Sequence, residues 1–450
     1  VEPDSILYNG CYILSSLVPA QEVRFDANPN YYDAKNVFVQ HVVVTYSDGK
    51  DPAQNFNMFV NGEVTSTTVN QSLPEVVAKA AELYPDNQYK SMTTATSYWG
   101  AFNWDRQMYA LYNDPSVSTT SKTDAQKADA KAAILNADFR RAVYAAFSAH
   151  AYEAIARGEE LADDVIRNTL VPYTFQTTSD GRTYGSIVEK YAAELVADYE
   201  GIDLNDGHDA WYNPELAKTF AERAKEELGD SVSEWPIHID VPVYAASENQ
   251  KNMQLAMKKS VEDAIGDYVV IDLQFLEGNS SVYYSSFYNQ PTGEDNSIDL
   301  VFGAGWGPDY GDPLTYLHCF DVHDGDMLNY SGINIESQGQ SEEQKAVLET
   351  LGLNEVQEIV DQATAATGDE RIELFAKAEA MLLTNGILRP YSTSGANITI
   401  SKVKPFTVAY GLYGQAAYNQ VPYFKYMQLL DEPVTAAEYE AAKEAWMAGK

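Results

Sequence analysis

Apolar positions recur along this chain at two spacings, and the spacings divide it into strands and helices. The run 237–244 alternates as a strand and 268–276 does the same, with a helical pattern over 247–265 between them. Strand, helix and strand at these lengths predict a βαβ unit with parallel pairing. Ala217, Phe220, Ala221, Ala224 and Leu228 form one stripe at helical spacing, behind Asn213 as a cap and Pro214 in the first turn. That stripe is expected to be core. The helical stretch 181–229 contains it. Further helices are expected over 51–63, 74–83, 280–288, 353–364, 369–383 and 433–446. Another should follow the polar segment 113–131 and run on through Phe147. Strands are expected over 7–14, 37–46, 64–70, 387–392 and 424–427, with a loop and strand over 404–414.

One stretch departs from these simple patterns. Ile298, Leu300 and Phe302 begin a strand, which then breaks into Gly303-Ala304-Gly305-Trp306-Gly307-Pro308-Asp309-Tyr310-Gly311-Asp312-Pro313. Four glycines in nine residues expose bare backbone. Trp306 and Tyr310 supply flat apolar walls, and Asp309 supplies negative charge. Backbone, walls and one acid can hold an extended peptide by adding a strand, with the acid taking its amino terminus. Upstream, Tyr98, Trp99, Phe102 and Trp104 form a second aromatic group, suited equally to a binding cleft or to a core.

Composition narrows the function. At 450 residues the chain needs at least two lobes. Its 66 acidic against 30 basic residues give a net charge of −36, which repels nucleic acid and anionic lipid. Tyrosine, at 32 against 16 phenylalanines, suits both sheet surfaces and polar ligands of varied shape. Cys11 and Cys319 are the only cysteines and form no CxxC pair. Of the six histidines only His318 and His323 lie close in sequence, so no metal site and no cofactor is expected. Phosphate-loop, HExxH and GxSxG motifs are absent. Residues 1–4 lack the features of a signal peptide.

Several short motifs occur in a set order: Asn28-Pro29-Asn30-Tyr31-Tyr32, Asp138-Phe139-Arg140-Arg141-Ala142, Asn168-Thr169-Leu170-Val171-Pro172, GWGPDYGDP over 305–313, Tyr330-Ser331-Gly332, and Glu373-Leu374-Phe375-Ala376-Lys377-Ala378-Glu379. Together they resemble the extracellular solute-binding proteins of the peptide and nickel class, the oligopeptide-binding subunits of ABC importers. The Ami/Ali-type lipoproteins of Gram-positive bacteria are the nearest pattern. The resemblance implies an α/β, two-lobed, periplasmic-binding-protein-like (type II) fold with mixed sheets flanked by helices. It divides the chain into 1–103 as part of lobe one, 104–388 as lobe two and 389–450 as the return into lobe one. It also implies that lobe one is incomplete at its N-terminus, with a signal and lipid-bearing cysteine outside this chain.

The ligand site implied is Gly305, Trp306, Gly307, Asp309 and Tyr310, with Asp309 holding the α-ammonium group of an oligopeptide captured between the lobes. The partners implied are an ABC permease and ATPase at the outer face of a Gram-positive membrane. No chemistry is implied. Some enteric members carry an arginine where this chain has Gly303, so a fixed carboxylate clamp is not expected, and longer peptides are favoured. Two alternatives stand beside this reading: the same fold holding a nickel complex, opine or short sugar, and a hydrolase using Asp309 with Asp312.

Overall fold

In the computed structural model, which describes residues 3–47, 51–407 and 421–449, the chain divides into two units. One comprises Val1–Thr94, Gly307–Tyr310 and Gly395–Lys450. The other comprises Ala95–Trp306 and Gly311–Ser394.

The larger unit is organised on the strand Ser97–Phe102. It lies between Leu300–Trp306 and Leu388–Ser392 and pairs antiparallel with both. Its sequence, SYWGAF, mixes bulky and small residues, and the register sets aromatic rings opposite glycines. Phe302 stands opposite Gly100, and Gly305 stands opposite Tyr98. A Cβ on Gly100 would lie 2.5 Å from the Phe302 ring, and one on Gly305 would lie 2.5 Å from the Tyr98 ring. Each aromatic ring therefore covers the glycine across from it. Gly100→Ala should displace the Phe302 ring and destabilise the unit by roughly 1–3 kcal/mol in urea denaturation. The register shifts between Phe302 and Ala304, where Gly303 has a φ of +151° that a side chain would strain.

The strand–helix–strand expectation holds. Ile237–Tyr244 pairs parallel with Val269–Leu276, and the helix Glu248–Ile265 connects them. The helix expected to run through Phe147 is instead two helices, Asp124–Leu135 and Ala137–Ala146. Asn136 sits between them with extended backbone, and its side chain accepts from Phe139 N, so a residue read as helix interior is the cap of the second helix. The stretch 181–229 likewise resolves into Tyr184–Leu195 and Pro214–Leu228, capped by Thr183 and Asn213. Ala217, Phe220, Ala221 and Ala224 are buried as the stripe requires, and Leu228 is half-buried. The strand 387–392 forms as Leu388–Ser392, an edge of this unit's own sheet.

Two features hold the unit together. The first is an aromatic core in which Phe147 packs 4.0 Å from Phe302 and edge-on to Tyr152 and Tyr391. The second is a buried charge quartet. Arg106 donates to Asp240 at 2.7 Å and lies 2.8 Å from Asp299. Lys122 is 3.1 Å from Asp240 and also contacts Asp299. All four side chains are 0–3% exposed. Asp240 N donates to Asp299 at 2.7 Å, and Gln274 donates to Asp240 at 2.6 Å. Two charges of each sign cancel, and each carboxylate accepts one further hydrogen bond, which helps an interior tolerate the charge.

Two of the sequence motifs meet here. Glu379 is fully buried on the helix Gly368–Thr384 and accepts from Leu170 N at 2.6 Å and Val171 N at 3.2 Å. Burial pushes its carboxyl up to about 8, against the lowering effect of those two amides.

The smaller unit has two antiparallel sheets. One runs Tyr12–Val18, Glu22–Ala27, His41–Thr45. The other places Ile398–Ser401 between Ser66–Thr68 and Tyr89–Lys90. Phe56, Phe59, Val69, Val76, Ala80 and Ile400 form one core, and Cys11, Tyr12, Val37 and Val42 a second. The Asn28 turn is closed by its own side chain, which donates to Gly10 O at 2.9 Å and accepts from Asn30 N at 3.0 Å. Residues 424–427, expected as a strand, fall instead in and just after the 3-10 helix Val421–Tyr426. Lys425 explains the difference. Its carbonyl accepts from Phe38 N, and its ammonium reaches Asp33 at 2.7 Å, a pairing between distant segments that the local pattern does not show. The expected strand within 404–414 lies largely outside the described residues. The last helix, Ala436–Ala448, opens with a Thr435–Glu438 capping box, and Tyr439 stacks 3.9 Å from Tyr89. Among the described residues no helix is long and apolar enough to cross a membrane.

Candidate functional site

The glycine-rich stretch begins inside a sheet, at its edge. Leu300–Trp306 has a sheet neighbour on one side only among the described residues. Leu300, Val301, Phe302 and Ala304 are buried, whereas Gly303 and Gly305 are exposed. The strand therefore presents backbone to solvent at the two positions that carry no side chain. Tyr98 closes the space on one side of Gly305, and the Tyr98 hydroxyl lies 3.1 Å from Ser394 Oγ. Exposed edge backbone is the template on which an added strand forms.

Trp306 ends the strand. It is half-buried, its Nε1 donates to Thr315 Oγ1 at 3.5 Å, and its ring meets the His318 ring edge-on at 5.2 Å. Gly307–Tyr310 then belong to the other unit, where Gly307, Asp309 and Tyr310 are exposed and Pro308 is buried. The chain returns to the larger unit at Gly311, whose carbonyl accepts from Gln176 at 2.6 Å. The five residues singled out from sequence are thus divided: Gly305 and Trp306 lie in one unit, and Gly307, Asp309 and Tyr310 in the other.

Asp312 has a different task. Arg371 grips its carboxylate with two hydrogen bonds, at 2.8 and 3.0 Å, and Leu314 N donates to it at 3.0 Å. A guanidinium fork and a backbone amide together fix the orientation of this carboxylate. Asp312, the second acid of the hydrolase alternative, is thus engaged by Arg371 and Leu314 N. Of the upstream aromatics, Trp99, Phe102 and Trp104 are core residues, and Tyr98 is half-buried with its ring against Gly305. Tyr98 was one of the four aromatics read as suited equally to cleft or core, whereas Gln176 and Arg371 were not legible as site residues, because each meets the stretch across more than 55 residues of sequence and neither belongs to a local motif.

The sequence matches the family of bacterial extracellular solute-binding proteins, family 5 (middle region), over residues 2–326. It is similar to the oligopeptide-binding protein AliB of Streptococcus pneumoniae, at 35% identity over 454 residues, covering 100% of this chain and 66% of AliB. It is also similar to the oligopeptide-binding protein SarA of Streptococcus gordonii, at 32% identity, covering 99% of this chain and 65% of SarA. The chain thus spans about two thirds of the length of these relatives. Among solved structures, the substrate-binding domain of an oligopeptide ABC transporter from Bacillus anthracis superposes with a TM-score of 0.61 at 19% identity, over 96% of this chain and 66% of that one. Listeria monocytogenes OppA bound to peptide gives 0.61 at 16% identity, over 95% and 65%. At these identities the likeness establishes the fold, the mixed α/β architecture of type II periplasmic binding proteins.

Proposed function

Since the chain belongs to the bacterial extracellular solute-binding proteins of family 5, we propose that it captures oligopeptides for an ABC importer, without chemical change. The observation that supports this most directly is the edge strand Leu300–Trp306, which offers the exposed backbone of Gly303 and Gly305 beside the Tyr98 ring. A peptide pairing with that backbone is bound through its main chain, so affinity does not depend on reading its side chains. Asp309, three residues beyond Trp306 in the chain, takes the α-ammonium group and sets the register. Gly303 brings no cation to the far end, so peptides can run on past the site. The partners are a membrane permease and its ATPase, and the location is the outer face of a Gram-positive cell membrane, reached through a lipid anchor.

Incubation with a mixed peptide pool followed by mass spectrometry tests the class: unchanged peptides should be retained. Cleaved products would overturn the absence of chemistry, and no retention would point to a non-peptide ligand. The role of Asp309 is tested by a double-mutant cycle. Asp309→Asn should weaken free-amine peptides at least tenfold, roughly 1.4 kcal/mol or more. N-acetylated peptides should bind the wild-type protein weakly and lose little more in the variant. Equal losses for both peptides would remove Asp309 from the site.

A further inference from the structure

We propose that His318, Cys319 and Asp326 form a site for a divalent transition-metal ion of the zinc class, a proposal independent of the peptide reading. One ligand atom from each residue lies within 4.8 Å of the other two. The sequence reading noted only His323 near His318 and expected no metal site, and His323 faces Glu336, with its Nδ1 2.8 Å from that carboxylate. The third ligand is Asp326, which no spacing motif signals.

Local structure brings the three together. His318 and Cys319 open the single 3-10 turn His318–Phe320, and Asp326 is the first residue of the short helix Asp326–Tyr330. The chain between them folds back tightly at Gly325. Gly325 N donates to Asp321 O at 3.0 Å, and a Cβ on Gly325 would lie 2.6 Å from Cys319 O and 2.7 Å from Asp321 N. Only glycine permits that approach, and it sets the next residue, Asp326, beside Cys319. His318 is already oriented. Its Nδ1 donates to Leu314 O at 3.1 Å, which leaves the lone pair on Nε2. A backbone carbonyl holding one imidazole nitrogen while the other ligates is the usual support of a metal-binding histidine.

The donor set decides the class of ion. Sulfur, imidazole nitrogen and one carboxylate oxygen suit Zn²⁺ and its neighbours, and do not suit Mg²⁺ or Ca²⁺, which take oxygen. Bond lengths of about 2.0–2.3 Å in a tetrahedron bring ligand atoms to about 3.5 Å from one another, so the trio need contract by only about 1 Å. Cys319 is buried, His318 half-buried and Asp326 exposed, so an ion enters from the Asp326 side. Three protein ligands leave a fourth position for water or a donor on a bound molecule. Neither cysteine is in a disulfide.

The test is Co²⁺ titration of the tag-free, chelator-treated protein, followed by displacement with Zn²⁺. One Co²⁺ per chain should bind with thiolate-to-metal charge-transfer and tetrahedral d–d absorption. Cys319→Ser should abolish the thiolate band, and Cys11→Ser should leave it intact. Asp326→Asn, at an exposed position that folding tolerates, should weaken binding at least tenfold, and so should His318→Gln. A chain carrying a charge of −36 collects divalent ions loosely on its surface acids, and such binding shows no sulfur band. Absence of the band in the wild-type protein, or wild-type affinity in Asp326→Asn and His318→Gln, would overturn the site.

Discussion

Asp299→Asn should destabilise the larger unit by roughly 3–5 kcal/mol, lowering its melting transition by roughly 10 °C or more. The substitution keeps the shape and removes one of two buried negative charges. Arg106 and Lys122 would then face Asp240 alone, leaving an uncompensated positive charge where all four side chains are 0–3% exposed. It would also leave one acceptor oxygen where Arg106, Lys122 and Asp240 N all point. Exposed helix pairs such as Lys127–Asp124 should show little effect by the same measurement.

The quartet also carries an acid dependence. Burial alone would raise the Asp299 carboxyl, but Arg106 and Lys122 outweigh it and hold the group below its ordinary range. Its contribution is therefore present above the unfolded value of about 3.9 and is lost as pH falls through the lower folded value. Wild-type protein should lose stability below about pH 4, and Asp299→Asn should show a smaller acid loss. An equal acid slope in both proteins would assign the loss to other carboxylates.

Glu379 should act in the opposite direction, and over a wider range. In the unfolded chain its carboxyl titrates near 4.5, and in the folded protein near 8. Between those values the folded protein keeps a proton that the unfolded chain has released. The stability is thus full below pH 4.5 and declines as pH rises to about 8, by roughly 5 kcal/mol in total. Glu379→Gln removes this titration. At pH 5 the variant should be less stable by roughly 1–3 kcal/mol, because an amide has one oxygen to offer and both Leu170 N and Val171 N donate here. Between pH 5 and 8 its stability should change much less than that of the wild type. Urea denaturation at three pH values measures this. Parallel curves would show that Glu379 stays ionised in the folded state.

The elements of this fold were legible in sequence wherever periodicity and end chemistry agreed. The parallel strands Ile237–Tyr244 and Val269–Leu276 with their connecting helix, the stripe from Ala217 to Ala224, and the cap at Asn213 all follow from residue order. Each rests on interactions within about a dozen residues or on one repeating face. The family could be read as well, because its motifs keep their order. Periodicity missed two residues, one with a local partner and one with a remote partner. Asn136 is a cap because its side chain turns back to Phe139, and periodicity alone continued the helix across it. Lys425 holds a 3-10 turn through Asp33 and Phe38, so a run with strand composition is not a strand.

The glycine-rich stretch shows the same division. Residue types alone determined that Gly303 to Tyr310 would expose backbone between aromatic walls and that no catalytic motif accompanies it. Only tertiary structure decided that Leu300–Trp306 is an edge strand among the described residues, because an edge is defined by which strands lie beside it. Tertiary structure also decided that Tyr98 covers Gly305 while Trp99 and Trp104 enter the core, and that Asp312 goes to Arg371. It decided that Asp326, and not His323, lies beside His318 and Cys319. The fourth is a short turn closed at Gly325, and the physical reason is common to the other three. A side chain's charge and shape are local properties, but its burial and its partner are set by loop closures across tens to hundreds of residues, whose entropic cost is met by the assembled core.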